Sequence, residues 1–290
     1  MSSGERFKYL EGKTMFLCFG AQKAGTSWLH DYFSGHSQFL TSPLKEMHFF
    51  DALLAPERCA HFDLLFVRWL HRQTAEPATA YEKPHFKHIL ARARMRGEPE
   101  LYFDYFNGLN KAGREFVCDF TPSYSLIAEP GLLEIDRLVA EQGMALKVLF
   151  VMRDPVQRYL SALRHKERDG RSTGEGGEFS YREDDLVRGR YDLIIPRLVS
   201  AFGAERVHVA FYESIFAAPD THLRNLTDFL GAAYVQPDLK KRVNSTDGVK
   251  SLKKIDSRKL ARHLEVFSPV YQYVQTAYGE KVPGTWHKAS

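Results

Sequence analysis

The stretch Thr14-Met15-Phe16-Leu17-Cys18-Phe19-Gly20-Ala21-Gln22-Lys23-Ala24-Gly25-Thr26-Ser27 decides how the rest of the chain is read. Thr14 to Phe19 is an apolar run that meets Gly20, the pattern of a buried parallel strand reaching its end. After Ser27, apolar Trp28, Leu29, Tyr32 and Phe33 recur with helical spacing until Gly35 stops them. The chain therefore opens strand, glycine loop, helix. In that order the loop amides and the helix N-terminus converge on one point, which favours an anion. Gly20 and Gly25 permit tight turning, Lys23 adds a full positive charge, and Thr26 and Ser27 offer hydroxyl donors. The plainer alternative is a capped helix beside a surface lysine.

Further apolar runs occur at Gln38 to Leu40, Glu115 to Cys118, Lys147 to Met152 and Val207 to Phe211. Helical patterns separate or follow them at Gly131 to Gln142, Pro155 to His165, Tyr191 to Phe202 and Thr221 to Leu230, and helix returns around Leu260 to Tyr273. Such alternation implies an α/β fold, a three-layer sandwich with a mostly parallel central sheet. Two stretches interrupt it. Residues 52–110 read as a helical insertion over the sheet, and residues 168–185, rich in glycine and charge, as a mobile surface loop.

Composition sets outer bounds. With 44% apolar and 26% charged residues, the 290-residue chain is ordinary globular material. A formal charge of +4 is too small to argue for a nucleic-acid partner without a localised basic face. Cys18, Cys59 and Cys118 are widely spaced and odd in number, so neither a disulfide framework nor a zinc site is expected, and a reducing compartment is. The first residues lack the apolar core of a secretory signal, and no stretch suggests a membrane span; the expected location is cytoplasmic. Oligomeric state leaves no mark in the sequence.

The loop is not a Walker A motif. In GxxxxGK[ST] lysine follows the second glycine, whereas Lys23 precedes Gly25 by two positions, giving GxxKxGTS. Nor does a later strand end in an acidic metal ligand: Val148-Leu149-Phe150-Val151-Met152 runs into Arg153. A second basic site is expected there, since an arginine at a strand end can fork two hydrogen bonds onto a phosphate, with Ser161 two helical turns further on.

At this point the sequence resembles the sulfotransferase family, whose donor is 3′-phosphoadenosine 5′-phosphosulfate (PAPS). Its 5′-phosphosulfate loop is similar to Gly20 to Ser27, and its 3′-phosphate segment to Val151-Met152-Arg153-Asp154-Pro155 continuing through Arg158, Tyr159 and Ser161. The resemblance implies a P-loop-NTPase-like sulfotransferase fold over one domain, residues 1–290. It also implies donor contacts from Gly20, Lys23, Ala24, Gly25, Thr26, Ser27, Arg153 and Ser161, with no metal.

Lys45-Glu46-Met47-His48-Phe49-Phe50-Asp51 resembles the KExHFF segment of carbohydrate sulfotransferases of the heparan-sulfate type, in which the glutamate is the base. That carries the role to Glu46, with Lys23 as its catalytic partner. Apolar Met47, Phe49 and Phe50 are expected to raise its pKa, and His48 is the rival base. Cys118-Asp119-Phe120-Thr121-Pro122-Ser123-Tyr124 is similar to a further family segment, with Phe120 where relatives often carry lysine. Asp119 and Thr121 there read equally as turn formers or as substrate contacts. The basic residues between Lys83 and Arg96 read as a solvated face, with recognition of an anionic acceptor as the alternative; Lys250 and Lys253 likewise read as solvated.

These readings converge on sulfuryl transfer from PAPS to a hydroxyl or amine of a carbohydrate or small-metabolite acceptor. Two other classes compete: a P-loop nucleotide kinase or NTPase, which the displaced lysine disfavours, and a nonenzymatic anion-binding protein.

Overall fold

The structure, a computed structural model, describes residues 9–57, 86–95, 98–168, 183–238 and 257–286. Five strands, β1 (Thr14–Gly20), β2 (Phe39–Thr41), β3 (Phe116–Phe120), β4 (Ala145–Met152) and β5 (Val207–Phe211), form one sheet in the order β2-β3-β1-β4-β5. Every pairing is parallel, one step beyond the mostly parallel sheet expected. β1 is central, and from Met15 to Gly20 it is buried throughout because both its neighbours and both its faces are covered.

The helices follow the expected alternation. They are α1 (Thr26–Ser34), α2 (Phe49–Leu54), α3 (Phe86–Met95), α4 (Pro99–Leu109), α5 (Glu129–Ala140), α6 (Pro155–Arg168), α7 (Glu183–Val187), α8 (Tyr191–Phe202), α9 (Tyr212–Ala217), α10 (Pro219–Leu230) and α11 (Ser257–Tyr278). Within the stretch 52–110, residues 58–85 and 96–97 lie outside the described residues, and the described part carries the end of α2 together with α3 and α4. Of the stretch expected as a loop, 169–182 lie outside the described residues, while Arg168 closes α6 and Glu183 to Asp185 open α7. Lys250, Lys253 and Cys59 also lie outside; Cys18 and Cys118 are buried free thiols.

The strand order places the functional end of the molecule. The chain leaves β1 toward β2 on one side and leaves β4 toward β5 on the other. A crevice forms outside the carboxyl ends where neighbouring connections diverge, and here those neighbours are β1 and β4. The glycine loop follows β1 and Arg153 follows β4, so topology alone brings the two basic segments to one crevice.

Aromatic packing under β1 fixes its position. The Phe16 ring meets Phe33 at 5.4 Å, Phe39 at 6.5 Å and Phe120 at 5.7 Å, all edge-on. This wedge joins β1 to α1, β2 and β3. Phe16→Ala removes a fully buried ring and is expected to lower unfolding free energy by about 3–5 kcal/mol in urea titration; a loss below about 1 kcal/mol would show that the wedge does not hold the sheet.

Candidate active site

The loop after β1 is held from both ends. Ala21 N–H donates to the Val151 carbonyl at 2.7 Å, tying the loop to β4, and Trp28 N–H and Leu29 N–H donate to the Gly25 carbonyl at 3.0 and 3.2 Å. Gly25 occupies the position before α1 with φ +80°, and no side chain caps the helix. A Cβ there would lie 3.0 Å from the Phe216 ring and 3.1 Å from Tyr212, so only glycine fits. The first amides of a helix have no acceptor within it, so those of Thr26 and Ser27 suit an anion at this end of α1. Ala24 and Thr26 are buried, while Lys23 and Ser27 are half-buried.

Arg153 reaches this loop. Its Nη1 donates to the Lys23 carbonyl at 2.8 Å, and its guanidinium lies 4.6 Å from the Tyr212 ring centre. A frame of distant residues fixes the segment. Tyr191 Oη donates to the Arg153 carbonyl at 2.8 Å, Asp154 N–H donates to Glu213 at 3.0 Å, and Trp286 Nε1 donates to the other Glu213 oxygen at 2.8 Å. Asp154 also caps α6, accepting the Gln157 amide at 2.9 Å, and accepts the Tyr271 hydroxyl at 3.0 Å. Ser161 stands buried on α6, about 9 Å along the helix from Pro155, and is not hydrogen-bonded to Arg153. Arg158 of the same motif is wholly buried and donates to the Asp185 carbonyl at 2.5 Å.

An aromatic shelf borders the loop. Trp28 lies 5.1 Å from Phe216, and Tyr212 lies 4.7 Å from Phe216. Phe216 is 41% exposed, an open ring beside the glycine loop. Sequence periodicity reads Trp28 only as part of a helical stripe, and nothing local connects it to Phe216, 188 positions on.

Four residues of alternating charge form the second loop. Lys45 Nζ donates to Glu46 Oε1 at 2.5 Å, Glu46 Oε2 lies 3.5 Å from His48 Nε2, and His48 Nδ1 donates to Asp51 Oδ2 at 2.8 Å. Ser123 Oγ donates to the same Asp51 oxygen at 2.5 Å. Among the described residues, the non-glycine residues with positive φ are Lys23 (70°), Glu46 (63°) and His48 (52°). Each such conformation costs about 1–2 kcal/mol, and such strain gathers at working sites. These three are the residues assigned catalytic roles from the sequence.

The expected rise in the Glu46 pKa is overturned. Met47, Phe49 and Phe50 are buried in the core, and the neighbours of the Glu46 carboxyl are Lys45 and His48. Burial pushes the carboxyl up, but the Lys45 charge and the His48 hydrogen bond outweigh it and hold it well below the usual carboxylate range. Burial also opposes charge on His48, yet its hydrogen bonds to Asp51 and Glu46 prevail and push the imidazole up to about 9. With its pKa pushed above neutrality, His48 is a poorer candidate base than the Glu46 carboxylate.

The supports of this loop come from far along the chain. Arg92 Nη1 donates to the Glu46 carbonyl at 3.0 Å, so this arginine on α3 braces the left-handed turn rather than forming a solvated face. His88 is likewise buried, hydrogen-bonded to Tyr105 at 3.0 Å. Phe49 N–H donates to Tyr124 Oη at 3.2 Å, and Tyr124 in turn donates to Asp119 at 2.6 Å. Asp119 also accepts the hydroxyls of Tyr102 at 3.0 Å and Thr121 at 2.6 Å, and burial pushes its carboxyl up in spite of these donors. Asp119 and Thr121 are therefore internal struts. Among the described residues no group of three or more His, Cys, Asp or Glu side chains is placed to hold a metal ion.

Because the folded His48 pKa exceeds the ordinary 6.5, its ion pair stabilises the fold fully below about pH 6.5 and is lost as pH rises through about 9. Imidazole NMR titration is expected to find His48 protonated through neutrality, and Asp51→Asn is expected to lower its midpoint. A wild-type midpoint near 6.5 would contradict the alternating-charge arrangement.

Comparison with known proteins agrees with this architecture. The profile described as "Sulfotransferase family" matches residues 16–236. A sulfotransferase from Alicyclobacillus acidocaldarius superposes with a TM-score of 0.59 at 20% identity, covering 90% of this chain and 94% of that one. The sulfotransferase domain of the Synechococcus PCC 7002 olefin synthase gives 0.56 at 17% identity, covering 95% and 98%. At these identities the structures show the fold alone. No helix among the described residues is long and apolar enough to cross a membrane, and no curated protein matches the chain in sequence. The family profile spans most of the chain, including the glycine loop, the Glu46 segment and Arg153, and the chain belongs to the sulfotransferase family.

Proposed function

We propose that the chain transfers a sulfuryl group from PAPS to a hydroxyl or amine of a carbohydrate or small-metabolite acceptor. The observation that carries this reading is the bond from Arg153 Nη1 to the Lys23 carbonyl, because it joins the two segments that would hold the donor's two ends. Lys23 with the Thr26 and Ser27 end of α1 would take the 5′ end, and Arg153 with Ser161 the 3′-phosphate. The fit is chemical as well as spatial: a cationic loop with free helix amides suits one phosphate, a guanidinium suits the second, and the exposed Phe216 beside Tyr212 suits a flat purine.

The chain's own groups have defined tasks in an in-line displacement. A lone pair on the acceptor oxygen or nitrogen forms the new bond to sulfur as the bond from sulfur to the leaving phosphate oxygen breaks, that electron pair departing with the phosphate. The acceptor's proton goes to Glu46. Lys23 and the α1 amides oppose the charge that grows on the departing and equatorial oxygens. His48 keeps the Glu46 carboxylate oriented, and Asp51 and Ser123 keep His48 in place.

Calorimetry with 3′-phosphoadenosine 5′-phosphate (PAP) in the absence of metal tests the donor assignment. Wild type is expected to bind it in preference to ATP with magnesium, and Arg153→Ala to weaken it about 10–150-fold, the value of a charge-assisted hydrogen bond of about 1.5–3 kcal/mol. Preference for magnesium ATP would instead favour a nucleotide kinase. Glu46→Gln is expected to bind PAP as wild type does while losing about 10²–10⁴-fold in transfer rate; unchanged transfer would remove Glu46 as the base.

A further inference from the structure

Glu46 presents a contradiction. The proposed mechanism uses it as a base, yet the ammonium of Lys45 sits on its carboxylate at 2.5 Å and keeps it a weak one. A base so neutralised gains strength only if its partner leaves. The destination has to be close, anionic and present only when the reaction is about to occur.

The position of Lys45 indicates that destination. Its loop is tied to α1, because His30 Nε2 donates to the Ser42 carbonyl at 3.1 Å, and Ser42 Oγ accepts the Leu44 amide at 3.2 Å. Asp51, which ends the charged row, accepts the Ser123 hydroxyl at 2.5 Å, and the neighbouring Pro122 carbonyl would lie 3.4 Å from a Cβ on Gly20, so the row stands beside the end of β1 where the glycine loop starts. Lys45 is 21% exposed and Glu46 38%, which leaves the pair partly open to solvent. Among the described residues Glu46 is the hydrogen-bond partner of the Lys45 ammonium, and a flexible four-carbon stem lets it move by a few ångströms.

We propose that Lys45 is a second cation for the sulfuryl group of the donor, resting on Glu46 in the ligand-free chain and transferring to a sulfuryl oxygen when PAPS binds. The exchange conserves charge pairing. Lys45 stays protonated and trades one oxyanion for another, and Glu46 loses its nearest cation at the moment an acceptor proton has to be taken. The proposal rests on the donor reading above and adds to it a residue that distinguishes the sulfated from the desulfated nucleotide. Product release follows the same logic, since PAP lacks the sulfuryl group and returns Lys45 to Glu46.

The test is calorimetric and needs no acceptor: PAPS and PAP are each titrated into wild type, Lys45→Met, Lys45→Arg and Arg153→Ala. Lys45→Met is expected to bind PAP within twofold of wild type and PAPS about tenfold more weakly, a difference of about 1.4 kcal/mol. Lys45→Arg keeps the cation and is expected to restore most of the PAPS affinity. In parallel, carboxyl-carbon NMR is expected to find Glu46 titrating nearer the ordinary range in Lys45→Met, and in wild type with PAPS but not with PAP. Equal weakening of both nucleotides, or no weakening of PAPS, would overturn the role of Lys45. A wild-type chain that binds neither nucleotide would overturn the donor reading itself, with Arg153→Ala then without effect.

Discussion

The hydrogen bond from Arg153 to the Lys23 carbonyl is the constraint on which the crevice depends. It spans 130 positions of sequence and closes the space between the ends of β1 and β4. Lys23 accepts it from a left-handed backbone, a conformation that turns its carbonyl toward β4. The amide of Ala21 makes a second tie to β4, so the loop is braced twice against one strand before any ligand arrives. Preorganisation of this kind matters because anion binding by amides and guanidinium is strong only when the donors need not be gathered first. Behind Arg153, Tyr191, Glu213, Tyr271 and Trp286 form a frame from four separate parts of the chain.

The second loop works by alternation of charge. Lys45, Glu46, His48 and Asp51 run cation, anion, cation, anion, each in contact with the next. In such a row every charge is compensated, so the groups remain ionised close to a largely apolar core. The row also makes each member sensitive to loss of its neighbour. Removing Asp51 releases His48, and moving Lys45 releases Glu46. The buried strut of Asp119, Tyr124 and the Phe49 amide lets these exchanges happen on a fixed backbone.

Much of the fold was legible in the sequence because its signals are local. A strand, a glycine turn and a helix N-terminus occupy Thr14 to Ser34, and the Arg153 segment repeats the logic at β4; each proposed phosphate cradle is built from residues close together in sequence. What escaped is long-range or conformational. Arg92 and the Glu46 carbonyl are 46 positions apart, and Phe49 and Tyr124 are 75 apart. The Glu46 environment was misread because adjacent Met47, Phe49 and Phe50 suggest an apolar pocket, whereas the left-handed turns at Glu46 and His48 send those side chains into the core and keep the charged ones together. Asp51 was visible as a residue of the motif, but its role follows from the three-residue spacing to His48 on a turn whose geometry no propensity scale encodes.

Phosphorus NMR of PAP bound to the full chain tests the central claim most directly, because it observes the two ends of one ligand separately. If the loop after β1 and Arg153 after β4 form one donor site, the 5′- and 3′-phosphate resonances both shift on binding, and both saturate at the same protein concentration. A shift confined to one phosphate, or two shifts that saturate at different concentrations, would mean that the segments do not act on a single donor.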